Sequence, residues 1–443
     1  MTPGNPVVFD SRRTQASGPS TLRESFKTRL QTVRPWCGQA IVFLLSFAIL
    51  VSRRPDAIFR PQFWAEDGWL FYAQAYNGGL VHPLFWTYSG YLLIFSRLVA
   101  ALAQFFPLAS APLLFNLVAM TVQILPVQIL LSSRLSAIGS LPSRLLMALL
   151  YLSLPNSFEI HATLANVHWN MAILAFLVIV SAPPRSRVAR TFDYLVVLMT
   201  GLTGPFAVML TPAAFLDWRK NRGRWKLILT STVAACAGVQ GFLILIAGRS
   251  HRVTDALNAS WVSLMELLAD HVFLGSLIGR NALFHGRPLG ALVVTFLGIV
   301  ALLYGLIRGP LHLRLFILFA NLVLACALAS PLPTLIGMPT GPPLPGWRGL
   351  ELGLGQRYWY IPMLAFVATL VWLLKPAIPT ALRLGAILCF VLMPFGVVRD
   401  WRHPPRVNLH FEEYAEKLKQ APQGTVLVIP INPPGWSMRV VKR

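Results

Sequence analysis

The sequence has 443 residues, of which 55% are hydrophobic and only 12% are charged, and its mean hydropathy is +0.61. This composition excludes an ordinary soluble domain and a disordered chain, and it indicates an integral membrane protein. The formal net charge of +22 would suggest nucleic acid as the partner of a soluble protein. Here the basic residues form short clusters between apolar runs, which is the positive-inside pattern, so the expected partner is a lipid bilayer and not nucleic acid.

Residues 1–35 form a polar and basic segment ahead of the first apolar run. Thr21 and Glu24 have capping-box spacing, and the apolar residues after them recur with helical periodicity,. This pattern predicts a short basic amphipathic helix on the inner membrane surface. The first span is expected from Trp36 to Ser52, and the Arg and Lys residues before it predict a cytoplasmic N-terminus,.

Residues 53–108 are expected to form a large first external loop. Glu66 and Asp67 stand in this loop ahead of an aromatic run with near-helical spacing, so we expect them at a helix N-terminus. The helix dipole and the free backbone N–H groups there favour ionised carboxylates. Such a carboxylate can accept a proton as a general base, or it can hold a divalent cation such as Mg²⁺ or Mn²⁺. The alternative interpretation is an amphipathic loop helix that is merely capped by acids.

The same loop carries a family resemblance. An acidic pair after the first span, an aromatic helix, the break at Gly78 and Gly79, and a GYL…RL segment with Tyr91 and Arg97 resemble the first external loop of the GT-C superfamily. The resemblance implies an all-α polytopic fold and a polyprenyl-phosphate-linked sugar as donor. It also implies inverting transfer of the sugar to a glycan, lipid or protein acceptor outside the bacterial cytoplasmic (inner) membrane, as in cell-envelope polysaccharide assembly. The family often shows Asp-Asp or Asp-Glu where this chain has Glu-Asp, so the identity of the base stays open.

Residues 36–398 are expected to form the transmembrane domain, with about 11 membrane segments including a short hairpin. Tyr88 to Phe106 carries Arg97 and is expected at the interface, because only then do the basic clusters of the later loops alternate correctly,. Asp193 to Trp218 has basic clusters at both ends. A single span cannot have both ends in the cytoplasm. We therefore expect two half-helices that turn at Gly204 and Pro205, which would place both basic clusters on the cytoplasmic side.

Two further segments of this domain and the C-terminal tail are also expected on the external side of the membrane. We expect an amphipathic external helix at residues 261–277 and a Pro- and Gly-rich external loop at residues 331–356. Residues 399–443 are predicted to form a small external α/β tail with an external C-terminus. Its helix has Phe411, Ala415 and Leu418 on one face, its strand is TVLVIPI, and a Pro-Pro-Gly turn then buries Trp436,.

The candidate catalytic residues are Glu66 and Asp67, which are also the candidate ligands of a divalent cation. The candidate substrate-binding residues are polar or aromatic side chains expected near the outer membrane surface: Tyr88, Tyr91, Arg97, Asn166, His168, Trp169, Arg357 and Tyr358.

Two arginines among these candidates each have two interpretations. Arg357 opens a predicted span next to Tyr358, where it is either an interface anchor or, as the resemblance implies, a ligand of the carrier phosphate. Arg97 lies in an apolar segment, which is costly unless it meets a structural partner or a phosphate. Asn166 and His168 could bond sugar hydroxyls or pack at the interface, and the spacing of this loop matches no zinc site.

Two other function classes remain as alternatives. A transporter or flippase for a lipid-linked saccharide would need ionisable residues near the bilayer midplane and often two related halves, whereas the predicted spans are nearly free of acids. A non-catalytic envelope assembly protein would keep the loop and the tail but would not require Glu66 or Asp67.

Overall fold

Helices make up most of the chain in the computed structural model, which describes residues 35–251, 257–331, 346–351, 353 and 355–443. The predicted basic helix around Thr21 and most of the predicted Pro- and Gly-rich external loop lie outside these residues. The chain divides into two compact units, Met1–Leu45 and Ser46–Arg443. The described part of the first unit is the N-terminal part of one helix, and the second unit contains the elements that position the site.

The principal helices follow one another with short connections. In the first half they are α1 Pro35–Arg53, α2 Ala73–Gly78, α3 Ile94–Ala103, α4 Ala111–Leu131, α5 Leu141–Ser153, α6 Val167–Val180 and α7 Arg187–Gly201. In the second half they are α8 Phe206–Lys220, α9 Arg224–His251, α10 Trp261–Leu267, α11 Pro288–Arg308, α12 Leu311–Ala329, α13 Arg357–Leu373, α14 Thr380–Arg399 and α15 Phe411–Gln420. Single helical turns occupy Asp56–Phe59, Asp67–Tyr72, His82–Phe85, Leu108–Ser110, Ser133–Leu135, Phe158–Ile160, Leu268–Phe273, Gly275–Ile278 and Trp347–Glu351.

Six helices within the described residues are long and apolar enough to cross a bilayer, namely Leu108–Leu131, Arg224–Ile246, Trp261–Ile278, Pro288–Arg308, Leu311–Ala329 and Thr380–Arg399. They are compatible with a multi-pass membrane protein, while the count of about 11 segments stays a prediction. Trp261–Ile278, which we predicted to be an external amphipathic helix, is one of the six. Helix α3 has 10 residues and extends only about 15 Å. That is half of a bilayer core of about 30 Å, so α3 alone is too short to cross, and the interfacial placement of Tyr88 to Phe106 stays a prediction.

The predicted hairpin is present as helices α7 and α8. Helix α7 ends at Gly201, α8 begins at Phe206, and Gly204 between them has a φ of +85°. The ends of the two helices that lie away from this turn each carry an acid with a basic partner. Asp193 lies 2.6 Å from Arg134, Asp217 lies 2.7 Å from Lys226, and the charge of Asp193 also acts on Lys226. Buried acids need such partners, which explains why both stand beside basic clusters.

The C-terminal tail forms the predicted helix α15 and the predicted strand, together with a second strand that we did not predict. Strands β1 Val426–Ile431 and β2 Trp436–Val441 pair antiparallel, with Val426 opposite Val441 and Ile431 opposite Trp436. The Pro-Pro-Gly segment is therefore the turn of a hairpin. Trp436 is only half-buried, because it begins the second strand instead of closing the turn.

The tail and the loop of residues 53–108, predicted to be external, share one hydrophobic core. The Phe63 ring lies 5.2 Å from the ring of Phe411 in the tail, 5.2 Å from Phe115 in α4 and 5.3 Å from Tyr72 in the loop. The inward-facing side chains of strands β1 and β2 are buried in the same cluster. Because these rings exclude water together, the tail supports the loop that carries the acidic pair.

Candidate functional site

The acidic pair stands at the start of a helix, as the sequence predicts. A π-helical turn runs from Asp67 to Tyr72 and continues as α2, which ends at Gly78, and Gly79 follows with a φ of +87°. Glu66 precedes the first turn, but its side chain makes no capping hydrogen bond to the helix. The carboxylates of Glu66 and Asp67 instead contact other parts of the chain, so the capping interpretation does not account for them.

The tail fixes the backbone on both sides of the acidic pair. The N–H of Ala65 donates to the carbonyl oxygen of Asn432 at 2.5 Å, and the N–H of Asn432 donates to Phe63 at 3.2 Å. A methyl group on Gly68 would lie 2.9 Å from Cδ1 of Ile431, so the side chain of Ile431 packs closely against the backbone at Gly68. The direction of the two carboxylates is therefore set by residues more than three hundred positions later in the chain.

Asp67 is buried and bonded to the loop that precedes α6. Its Oδ1 accepts a hydrogen bond from the backbone N–H of Ala165 at 2.6 Å, and its Oδ2 accepts one from the Thr163 hydroxyl at 3.2 Å. Burial raises the pKa of Asp67 to about 7, against the opposing effect of the nearby positive charge of Arg406. Both oxygens are thus engaged within the protein, which gives this acid a positioning role.

Arg406 is a buried cation of the site that sequence reasoning missed. Its guanidinium donates to the carbonyl oxygens of Gln62 and Ala162 and to Oδ1 of Asn116, and it lies 5.7 Å from the Trp64 ring. Burial lowers its pKa, while Asp67 and Asp56 act in the other direction. Nothing local in the sequence could have indicated this role, because its partners come from distant segments.

Glu66 is the more accessible of the two acids. It is half-buried, and its Oε1 accepts a hydrogen bond from the Tyr88 hydroxyl at 3.2 Å. Burial and then the charge of Glu66 raise the pKa of Tyr88, which therefore stays protonated as a donor. The charges of Glu66 and Arg357 also act on one another. Glu66 is thus close to Arg357, the residue that the resemblance implies as a ligand of the donor phosphate.

Arg357 is held in place by Glu159. Its backbone N–H donates to Oε2 of Glu159 at 2.9 Å, and its Nη1 lies 3.3 Å from Oε1. The guanidinium also lies over the Tyr358 ring, 4.8 Å from the ring centre. Asn166 donates to the backbone carbonyl of Glu159 at 2.9 Å and so supports this turn. Glu159 and Arg357 are 198 residues apart, so nothing in the sequence indicates that they are paired.

A cavity of about 470 Å³ lies beside this ion pair. Five predicted substrate-binding residues line it, namely Tyr91, His168, Trp169, Arg357 and Tyr358. The rest of its wall is mainly apolar and comes from the turn between α7 and α8, from α8 and α9, and from the end of α12. Val208 and Leu245 on this wall are exposed on the protein surface. The cavity therefore has a polar end at Arg357 and an apolar flank that opens sideways.

Three predicted substrate-binding residues are not among the described lining residues: Arg97, Asn166 and Tyr88, the last of which donates to Glu66. Arg97 is buried among loop residues, where its Nη1 donates to Oε1 of Gln74 at 2.7 Å and its guanidinium lies 5.9 Å from the Phe71 ring. It does not line the cavity, because α3 turns this side chain toward the aromatic helix of the first loop. Asn166 is not part of the described lining either, since its amide is used by Glu159.

Three non-glycine residues around the site have a left-handed backbone. Ala65, with a φ of +43°, precedes Glu66; Ser89, with a φ of +54°, follows Tyr88; and Ala162, with a φ of +51°, accepts from Arg406. Such conformations cost about 1–3 kcal/mol each and accumulate where the surrounding structure imposes them, often at functional sites. The strain falls on the segments that carry the two acids and their partners.

A two-carboxylate cation site does not fit the pair as it stands. Both oxygens of Asp67 accept hydrogen bonds, and the described residues contain no group of three or more His, Cys, Asp or Glu side chains that could hold a metal ion. Glu66 remains available as a single ligand. The role of Mg²⁺ or Mn²⁺ therefore stays a prediction.

No protein-family model matches the chain, and no curated protein matches its sequence. The GT-C resemblance consequently rests on sequence motifs alone.

Proposed function

We propose that the chain is a GT-C-like inverting glycosyltransferase, which transfers a sugar from a polyprenyl-phosphate donor to an acceptor outside the cytoplasmic membrane. The observation that carries the proposal is the cavity between Arg357 and the surface. It places a fixed guanidinium at one end of an apolar space and a partly accessible carboxylate, Glu66, beside that guanidinium.

The cavity matches an amphipathic ligand in both size and polarity. Its volume of about 470 Å³ falls within the range of about 300–1,000 Å³ that is usual for small-molecule sites. The exposed side chains of Val208 and Leu245 lie on the apolar flank, where a bilayer would surround them. A prenyl chain can enter from that side, while its phosphate meets Arg357, whose planar guanidinium can bond two phosphate oxygens.

The proposed reaction is a single displacement at the anomeric carbon. An acceptor hydroxyl oxygen forms the new bond to this carbon, while the bond from the carbon to the phosphate oxygen breaks and leaves its electron pair on the phosphate. The acceptor proton passes to Glu66, which acts as the general base. Arg357 stabilises the negative charge that develops on the leaving polyprenyl phosphate. Glu159 keeps Arg357 oriented, because it binds both the guanidinium and the backbone of this residue.

A divalent cation is not assigned a step in this reaction. Glu66 and the donor phosphate could together ligate Mg²⁺, which commonly binds through one or two carboxylates and phosphate oxygens. Asp67 would first have to give up its bonds to Thr163 and Ala165. The residues present therefore supply the base and the phosphate ligand by themselves.

The lipid site can be tested with a photoactivatable polyprenyl phosphate and the purified chain in lipid nanodiscs. Arg357→Lys should weaken crosslinking by about tenfold or more, since an ammonium cannot reproduce the two directed bonds. Val208→Trp should reduce crosslinking by filling the apolar flank. Arg308→Lys, which changes an exposed arginine at the end of α11, is the matched control and should leave it unchanged. Wild-type crosslinking and sugar transfer in Arg357→Lys would leave this residue as an interface anchor and remove the proposal's main support.

A further inference from the structure

A second cavity lies between the segment that follows the acidic pair and strand β2 of the C-terminal hairpin. Its volume is about 430 Å³, and it is open to the surface. We refer to it as the hairpin cleft, and the residues that line it are Trp69, Ala73, Gln74, Asn77, Gly78, Trp86, Ser437 and Arg439. Two indoles, two amides, a hydroxyl and a guanidinium thus meet in one concave surface, and the proposed lipid chemistry uses none of them.

Trp86 presents a fixed aromatic surface at the mouth of the hairpin cleft. Its side chain is 42% exposed, which is unusual for so large an apolar group,. A methyl group on Gly78 would lie 3.0 Å from Cη2 of Trp86, so the ring rests against the glycine backbone. Because one side of the indole is supported in this way, the ring is pre-organised for a flat ligand.

Two residues that line the hairpin cleft, Trp69 and Gln74, carry polar groups with spare hydrogen-bonding capacity. The indole N–H of Trp69 is buried and makes no hydrogen bond with the described residues, which leaves a costly unsatisfied donor unless a ligand reaches it. Arg97 donates to the amide oxygen of Gln74. Since arginine can only donate, this bond fixes the oxygen of Gln74 and leaves its NH₂ group as a donor. Arg97 therefore has a structural role, because it orients Gln74, a residue that lines the hairpin cleft.

The hairpin cleft is unsuited to an extended peptide or a lipid tail. Asn77 occupies the outer edge of β2, because its Nδ2 donates to the Arg439 carbonyl at 2.8 Å and its Oδ1 accepts from the Val441 N–H at 3.0 Å. A peptide strand therefore cannot add to that edge. Ala73 is the one aliphatic side chain in the lining, so there is no groove for a hydrocarbon chain.

The cleft and the proposed base are next to one another. The Trp69 ring lies 6.1 Å from the Tyr88 ring, and the Tyr88 hydroxyl donates to Glu66 at 3.2 Å. Tyr88 thus stands between the hairpin cleft and the ion pair at Arg357. The hairpin cleft is therefore linked to Glu66 through the contacts of Trp69 and Tyr88.

We infer that the hairpin cleft binds a saccharide, and that this saccharide is the acceptor of the transfer reaction. The identification as acceptor rests on the proposed function. A sugar ring has a face of C–H groups, which the electron-rich face of an indole attracts, and an edge of hydroxyls, which amides and guanidinium groups bond. The donor lipid and the acceptor then reach Glu66 from separate cavities.

The test uses oligosaccharides released by mild acid from the organism's own cell envelope, added to the full-length chain in nanodiscs, with binding followed by saturation-transfer NMR. Saturable binding is expected, and Trp86→Ala should weaken it by about tenfold or more. Gly78→Ala should weaken it as well by displacing the Trp86 ring, whereas Trp86→Phe should retain part of it. Trp261→Ala removes an indole at the start of α10 that is even more exposed than Trp86, and it should have no effect.

Crosslinking of the polyprenyl phosphate probe, measured on the same samples, separates this inference from the proposed function. The inference expects normal lipid crosslinking in Trp86→Ala and normal saccharide binding in Arg357→Lys. Lipid crosslinking without saturable saccharide binding, or saccharide binding that is unchanged in Trp86→Ala, would overturn the saccharide site and leave the lipid site standing. Saccharide binding that depends on Trp86, without lipid crosslinking, would support the cleft and refute the glycosyltransferase proposal.

Discussion

The two adjacent acids are expected to respond differently to the same chemical change. Glu66→Gln keeps the size of the side chain and keeps an oxygen to accept from the Tyr88 hydroxyl. It removes the ability to take a proton from the acceptor. Transfer should therefore fall steeply, while folding and donor binding should change little.

The size of the effect follows from the role of the group. Loss of a general base costs about 10²- to 10⁴-fold in rate, which corresponds to about 2.7–5.5 kcal/mol of activation free energy. The hydrogen bond from Tyr88 is retained, so the free energy of unfolding should change by less than about 1 kcal/mol. In Asp67→Asn the new amide oxygen can accept from Ala165 and the new NH₂ group can donate to Thr163, so transfer should fall by far less.

The assay is sugar transfer in the organism's own membranes, normalised to folded protein, with photocrosslinking of the polyprenyl phosphate as the measure of donor binding. The expected pattern is a large loss of turnover with normal crosslinking in Glu66→Gln alone. Equal losses in both variants that follow their thermal stability would reduce the acids to structural groups. Full specific activity in Glu66→Gln would refute its role as the base and favour a non-enzymatic function.

Three further predictions concern stability and topology. Burial raises the pKa of Asp67 to about 7, so the folded state binds the proton of this carboxyl more tightly than the unfolded state does. The protonated carboxyl therefore contributes its full share to the free energy of unfolding below about pH 4. This contribution is lost as the pH rises through 7. The melting temperature of the wild type relative to Asp67→Asn should therefore fall over that range, and a difference independent of pH would contradict the shift. Arg406→Met should destabilise the protein by about 3–5 kcal/mol, because it leaves buried acids without their cation, and an unchanged unfolding midpoint in denaturant would exclude this. A cysteine at Gln423 should react with an impermeant thiol reagent from outside and one at Asn221 should not, and the reverse labelling would invert the topology.

Features that depend on local pattern were predictable from the sequence. The apolar periods indicated a helical membrane protein, and the acids ahead of an aromatic run indicated the helix that begins at Asp67. The basic flanks around Gly204 indicated the hairpin, since charge placement restricts which ends share one side of a bilayer. The second strand was missed, because Pro-Pro-Gly was interpreted as an isolated turn, although a turn after a strand also marks a hairpin.

The working arrangement of the site was decided only by tertiary contacts. Glu159 meets Arg357 across 198 residues and Arg406 meets Gln62 across 344, and such contacts leave no periodic trace along the chain. The sequence presented Glu66 and Asp67 as equivalent acids on one helix start. Packing separates them, because the loop before α6 satisfies both oxygens of Asp67, whereas Glu66 keeps one tyrosine donor and acts through its charge on Arg357. Sequence thus supplied the chemical groups, and the folded chain assigned each its surroundings, since burial and partners, not residue type, determine what a carboxylate can do.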